Sequence, residues 1–220
     1  MKCDQRAMRF DCLGSSMVGI IDLPQRPLPR GVLMMASQRH SRLGAQRQYA
    51  MLARALARRG LAVMRFDRRG VGDSEGCDYN DSDMRSAVDE FCAQVPQLRE
   101  VVLLSPASGD VIASASACAR GDVRVRALVL LDARRQGRGR VARLADQFSG
   151  FPGRVMLLAT SAPTLELDAL RKRLAGGGAG AERIEIIENR APPMALHEAG
   201  DRAEAEGWRA ATCASWIVSW

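Results

Sequence analysis

At 220 residues the chain suits a single hydrophobic core, since cores split beyond about 250–300 residues, and 47% hydrophobic content is enough to fill one. Aromatics are only 5%, so Leu, Val, Ala, Met and Ile must build that core; no apolar run approaches the roughly 20 residues of a membrane span, and the N-terminus lacks the apolar core of a signal peptide. The formal charge of +7 is almost wholly arginine, spread over most elements with acids interleaved rather than gathered between aromatic platforms, so no nucleic-acid partner is expected.

The predicted elements alternate in a regular order. Met8 to Cys12 and Met17 to Asp22 read as two strands turned at Gly14-Ser-Ser, and Gly31 to Ala36 as a buried strand. Arg47 to Arg59 is an amphipathic helix, with Tyr49, Leu52, Leu56 and Ala57 on one side and Gly60 ending it. Leu61 to Phe66 is the next strand. Ser82 to Val95 is a helix capped at Asp81 or Ser82 and stopped by Pro96.

Val101 to Leu104 is a strand, followed from Gly109 to Ala119 by a helix of small residues. Val125 to Leu131 and Val155 to Thr160 are further strands, the second entered through Phe151-Pro-Gly. Leu165 to Leu174 reads as helix, Arg183 to Ile187 as a short strand, and Ala203 to Val218 as a last helix with Trp208, Cys213 and Trp216 inward. From residue 31 onward, alternating strands and helices mean right-handed βαβ units, hence one domain over 1–220 with a mostly parallel, doubly wound sheet and helices on both faces. The six cysteines contain no Cys-x-x-Cys pair and no spacing with His that suits zinc, so reduced thiols and no structural metal are expected.

In such sheets ligands sit beyond the carboxyl ends of the strands, so the loops after each strand are where chemistry belongs. After the strand ending near Ala36, Ser37 and Gln38 are the candidates for backbone N–H donors to an oxyanion, and His40 is a loop histidine. After Phe66 comes Asp67-Arg-Arg-Gly-Val-Gly-Asp-Ser-Glu-Gly76, whose glycines permit turns and whose Asp67 and arginines suit a scaffold held by hydrogen bonds and ion pairs.

After Leu104 comes Ser105-Pro-Ala-Ser-Gly109, entering a helix. A nucleophile elbow needs small residues two before and two after the nucleophile, because the strained strand-to-helix turn leaves no space there. Ser105 and Gly109 meet that need around Ala107; centring on Ser108 puts Pro106 and Asp110 at the flanks. The last loop carries His197, and Asp132 follows the strand ending at Leu131. The order Ser108, Asp132, His197 is that of nucleophile, acid and base in α/β-hydrolases.

The run Arg47 to Gly76, with its Asp-x-Arg-Gly-x-Gly-x-Ser stretch, resembles the exosortase A system-associated hydrolases, a group of α/β-hydrolases. The resemblance extends over Phe10 to Pro24, Val101 to Leu131, Phe151 to Leu158 and His197 to Trp220. It implies an α/β-hydrolase-like fold acting on esters or thioesters, with no cofactor. This chain departs from the group at four places. Ala107 stands where the group has a Cys or Ser nucleophile, Ser37-Gln38 where it has a Gly pair, and Ala162-Pro163 near its acid. Only Asp132 to Gly150 fills the place of its helical cap, so the cap is largely absent.

Three readings follow. One is a catalytically degenerate hydrolase fold that binds a small ester or acyl ligand or a protein partner. The second is an active ester or thioester hydrolase using Ser108, Asp132 and His197, with Ser37 and Gln38 lining the oxyanion hole. The third is an arginine-rich module for anionic polymers. A cytoplasmic location is the expectation for all three.

Overall fold

The computed structural model describes residues 3–36, 41–44, 47–77, 80–106, 109–131, 151–160, 172, 184–189 and 199–220. Eight strands run β1 (Cys3–Cys12), β2 (Ser15–Pro24), β3 (Arg30–Met35), β4 (Ala62–Phe66), β5 (Glu100–Pro106), β6 (Val125–Leu131), β7 (Arg154–Thr160) and β8 (Ile184–Asn189). They form one sheet in the order β1-β2-β4-β3-β5-β6-β7-β8. β1 and β2 pair antiparallel, as do β2 and β4; every other pairing is parallel. The four helices among the described residues are α1 (Gln48–Ala57), α2 (Asp81–Gln94), α3 (Gly109–Gly121) and α4 (Ala199–Val218).

The central strands read as near-continuous apolar runs because both of their faces are covered. Leu33, Met64, Leu103, Leu128 and Leu157 point one way, into a core shared with Met84, Val88 and Phe91 of α2 and Val111, Ile112 and Ala115 of α3. Their neighbours Met34, Val63, Val102, Val129 and Met156 point the other way, against Leu52 and Leu56 of α1 and Ala210, Cys213 and Ile217 of α4. Each fully buried aliphatic side chain contributes about 1.5–3 kcal/mol, so these two layers outweigh any single polar contact. At Gly31 a Cβ would come 2.8 Å from the Phe91 ring, and its absence lets α2 lie directly on β3.

Two local expectations are corrected. The β1–β2 turn falls on Leu13 and Gly14, both left-handed (φ 53° and 77°), with Ser15 and Ser16 already in β2. That pair of positive φ values matches the twist of a two-residue hairpin, so it displaces the looser Gly-Ser-Ser turn. α2 is capped by Asn80, rather than by Asp81 or Ser82. The Asn80 side chain accepts from Ser82 N at 2.9 Å, and the Asp83 carboxylate reaches back to Asn80 N at 3.4 Å, a capping box. The helix expected over 165–174 and the Gly176–Gly178 stretch lie outside the described residues, Lys172 excepted, as does the Trp208 side chain. Cys213 and Trp216 are buried as expected.

The candidate active-site rim at the carboxyl edge of the sheet

Ser37, Gln38, His40, Ala107, Ser108, Asp132 and His197 all lie outside the described residues, as do Ala162 and Pro163. What the structure fixes is the backbone that leads to them. β3 and β5 are adjacent, with Met34 opposite Leu104, so the chain leaves both strands at neighbouring points of the same edge. β6 lies on the other side of β5, and Pro106 is the register partner of Leu131, the residue before Asp132. β5 runs to Pro106 and α3 starts at Gly109, which leaves only positions 107 and 108 between strand and helix.

Ser105 is the one serine of this stretch whose surroundings are described. It is 1% exposed, sits within β5 opposite Leu130, and its Oγ donates to the Pro106 carbonyl at 3.1 Å. A hydroxyl sealed into the sheet in this way is not placed to attack a substrate.

The Asp67–Gly76 loop is held as a scaffold. Asp67 N donates to Val18 O at 2.9 Å, Ser74 Oγ donates to the Asp67 carbonyl at 2.7 Å, and Ser74 Oγ also accepts from Val18 N at 2.9 Å. Glu75 N donates to Ser16 O at 2.9 Å while its carboxylate accepts from Ser16 N at 3.2 Å. The loop is thereby stitched to β2. The Asp67 carboxylate, 0% exposed, accepts from Arg42 N, from the Arg42 guanidinium and from Asp73 N. Arg42 also donates to Asp73 Oδ2 at 2.7 Å. Burial disfavours the guanidinium charge of Arg42, yet the bonds to Asp73 and Asp67 outweigh it and raise its pKa above the usual value.

Arg42 belongs to the loop after β3, so this ion pair ties that loop to the loop after β4. A second buried pair lies one strand back. Arg65 Nε donates to Asp22 Oδ2 at 3.3 Å, Gln5 Nε2 donates to Asp22 Oδ1 at 2.7 Å, and Arg65 donates to the Arg42 carbonyl at 3.4 Å. Burial pulls the Arg65 pKa down and Asp22 opposes it. A third cluster anchors α2. The Asp83 carboxylate accepts from Arg69 N and Arg69 Nε, each at 2.8 Å, and lies 3.7 Å from Cys12 Sγ. Burial pushes the Cys12 thiol up, so it is an inert core group.

Asp67, Asp22 and Asp83 are thus each committed to fixed donors. They build a rigid frame under the loops and none is placed as a general base. Asp67 and the motif's role were legible from the sequence, but Arg42 and Asp83 were missed as its partners. The signal was faint: an arginine in the preceding strand's loop and an aspartate at the third position of α2. Among the described residues no group of His, Cys, Asp or Glu is arranged to hold a metal ion.

Order, hand of pairing and helices on both faces define an α/β-hydrolase fold. Residues 29–173 match the family described as serine aminopeptidase, S33, and the chain belongs to that family of hydrolases. Among solved structures it is similar to an esterase of Pyrococcus furiosus, with TM-score 0.70 and 14% identity over 99% of this chain and 92% of that one. It is similar to the dienelactone hydrolase of Anabaena variabilis, with TM-score 0.68 and 16% identity over 100% and 99%. It also resembles a Xanthomonas campestris α/β serine hydrolase without a lid, with TM-score 0.58 and 18% identity over 86% and 84%. At these identities the likeness establishes the fold. No protein of curated description matches the chain.

Proposed function

We propose that this chain is a hydrolase-fold protein of the exosortase-associated type that binds a small ester or acyl ligand, or a protein partner, at the carboxyl edge of its sheet without covalent turnover. The observation that carries the reading is the two-residue connection from β5 to α3. It has the tightness of a nucleophile elbow, and the small residues Ser105 and Gly109 stand symmetrically about Ala107. A methyl group at that position cannot attack a carbonyl. Losing the nucleophile removes most of the rate, leaving roughly 10³-fold over water from binding and oxyanion contacts. With Asp132 to Gly150 too short for a substantial cap, a ligand would sit in an open site. A cytoplasmic location goes with this reading; no helix among the described residues is long and apolar enough to cross a membrane.

Membership of a serine hydrolase family favours a second reading, an ester or thioester hydrolase with a displaced elbow. Ser108 would be its nucleophile, His197 the base, Asp132 the orienting acid, and the backbone at Ser37 and Gln38 the oxyanion hole. Exposure of the folded protein to a fluorophosphonate, followed by intact mass and peptide mapping, separates the two. The proposal expects no adduct. A single adduct on Ser108 that disappears in His197→Ala establishes the active hydrolase instead.

A further inference from the structure

At the opposite edge of the sheet, where β6 and β7 begin, a cavity of about 510 Å³ opens beside the last residue of the sequence. That volume lies within the roughly 300–1,000 Å³ of small-molecule sites. Its walls are apolar at Val123, Val125, Pro152 and Trp220, and it carries two arginines, Arg126 and Arg154. Val123 is 84% exposed, an apolar side chain left in water at the mouth.

The charges are unbalanced. The Arg154 guanidinium lies 5.4 Å from the Trp220 ring centroid and makes no ion pair with an acid among the described residues. Among the described residues Arg126 has Glu100 at 4.0 Å, and Glu100 is already the partner of Arg30. Arg30 is in turn occupied, stacking 3.9 Å from the Trp220 ring and donating to the Ile217 carbonyl at 2.8 Å. The nearby acid Asp122 is held by Arg124. The Trp220 ring forms one wall, with its indole N–H turned away from water. Two guanidinium groups therefore flank an apolar hollow, and among the described residues no acidic side chain is committed to them alone.

We propose that this cavity is a binding site for a small amphiphilic carboxylate, its apolar body against Val123, Val125 and Pro152 and its carboxylate on Arg154 and Arg126. Planar guanidinium groups match a carboxylate in two-point geometry, which an alcohol or an amine does not offer. The site lies across the sheet from the loops discussed above and does not depend on whether the protein is catalytic.

The test is calorimetric titration of the full chain with sodium octanoate, alongside octanol and octylamine. Saturable binding of octanoate is expected, with octanol at least about tenfold weaker and octylamine without measurable binding. Arg154→Ala should weaken octanoate about tenfold and Arg154→Lys should recover part of that loss. The Arg154 side chain is exposed, so circular dichroism should show an unchanged fold in both variants. Val123→Asp, at a position in water, should abolish binding through its wall. Absence of saturable octanoate binding up to millimolar concentration overturns the proposal. So does octanoate affinity that Arg154→Ala leaves intact, or octylamine binding as tightly as octanoate.

Discussion

Asp67 and Arg42, twenty-five positions apart in the chain, form the contact that locks the loop after β3 onto the loop after β4. The carboxylate is fully buried, while the guanidinium keeps 16% of its side chain exposed. Removing one partner of a buried pair costs about 3–5 kcal/mol, because the other is left uncompensated. Asp67→Ala should therefore lower the melting temperature by roughly 10 °C, at the few degrees per kcal/mol expected for a chain of this length. Arg42→Ala should cost at least as much, since it strands the fully buried Asp67 carboxylate, whereas the guanidinium left by Asp67→Ala is partly hydrated and keeps Asp73. In a double-mutant cycle the two losses should fall short of additivity by more than about 1 kcal/mol. Additive losses would mean that the pair does not couple the loops.

Gly72 sits under the same carboxylate. Its φ is +59°, and a Cβ there would stand 2.2 Å from Asp67 Oδ2. Gly14 offers the control: its φ is +77°, but nothing lies within 4 Å of a built Cβ. Gly14→Ala should show the left-handed backbone penalty alone, about 1–2 kcal/mol. Gly72→Ala should exceed it by at least about 1 kcal/mol, since the Asp67 carboxylate must give up its bonds to make room. Urea midpoints of the two variants make the comparison, and equal losses would place the clash elsewhere.

The central strands were legible because each is an apolar run bounded by turn residues, and a run buried on two faces needs no partner to be recognised. β1, by contrast, starts at Cys3 rather than at the expected Met8, because its exposed, polar first half carries no such signal. Val125–Leu131 came out residue for residue. The α2 cap did not, since Asn80, Asp81 and Ser82 are all competent cap residues in a row. Only the extended backbone at Asn80, with Asp83 folding back on it, decides among them. The Asp67 motif announced a structured loop through its glycines, but no local pattern pairs it with Arg42. That pairing depends on β3 and β4 lying side by side, a tertiary fact. The same limit holds for Asp22 and Arg65, which read as isolated charges in apolar strands until the β2–β4 register joins them.

Asp122 sets an acid limit on the turn before β6. The hydrogen bond from Arg124 holds its carboxyl below the usual aspartate range, against a smaller opposing effect of burial. A carboxylate whose folded pKa is depressed adds stability above its unfolded pKa, roughly 3.9, and that contribution vanishes as pH falls through the folded value. Asp122→Asn should accordingly be less stable than the parent at pH 7 and at pH 5. The gap should close on going from pH 4 to pH 2. Chemical denaturation at these pH values reads it directly, and a gap constant down to pH 2 would show that the charge on Asp122 is not what stabilises the turn.

The thiols should sort by burial. Cys3 and Cys77 are exposed, whereas Cys12, Cys118 and Cys213 are buried and Cys92 is half-buried. Burial pushes the Cys118 thiol up to about 12, with the charge of Asp122 adding to the effect. Reaction with a disulfide reagent at pH 8 should show two fast thiols in the folded protein and a slower Cys92. The other three should respond only once denaturant is added, because the thiolate is the reacting form. Fast modification at Cys118 in native protein would contradict the packing of α3 against β5 and β6.

Ala107 is the position on which the functional reading turns. If the β5–α3 connection keeps the shape of an elbow and lacks only the reactive atom, Ala107→Ser restores the missing group at a cost in volume of one oxygen. The variant should take up a fluorophosphonate at position 107 and hydrolyse a short-chain nitrophenyl ester at a rate above the parent's. Both gains should be lost in the double variant with His197→Ala, because a serine hydroxyl is a weak nucleophile without a base beside it. Ser108→Ala should leave them in place. A folded Ala107→Ser protein that remains unlabelled would mean that more of the catalytic arrangement than the nucleophile is gone. Labelling of the parent at Ser108 would instead move the elbow by one residue and make the protein a working hydrolase.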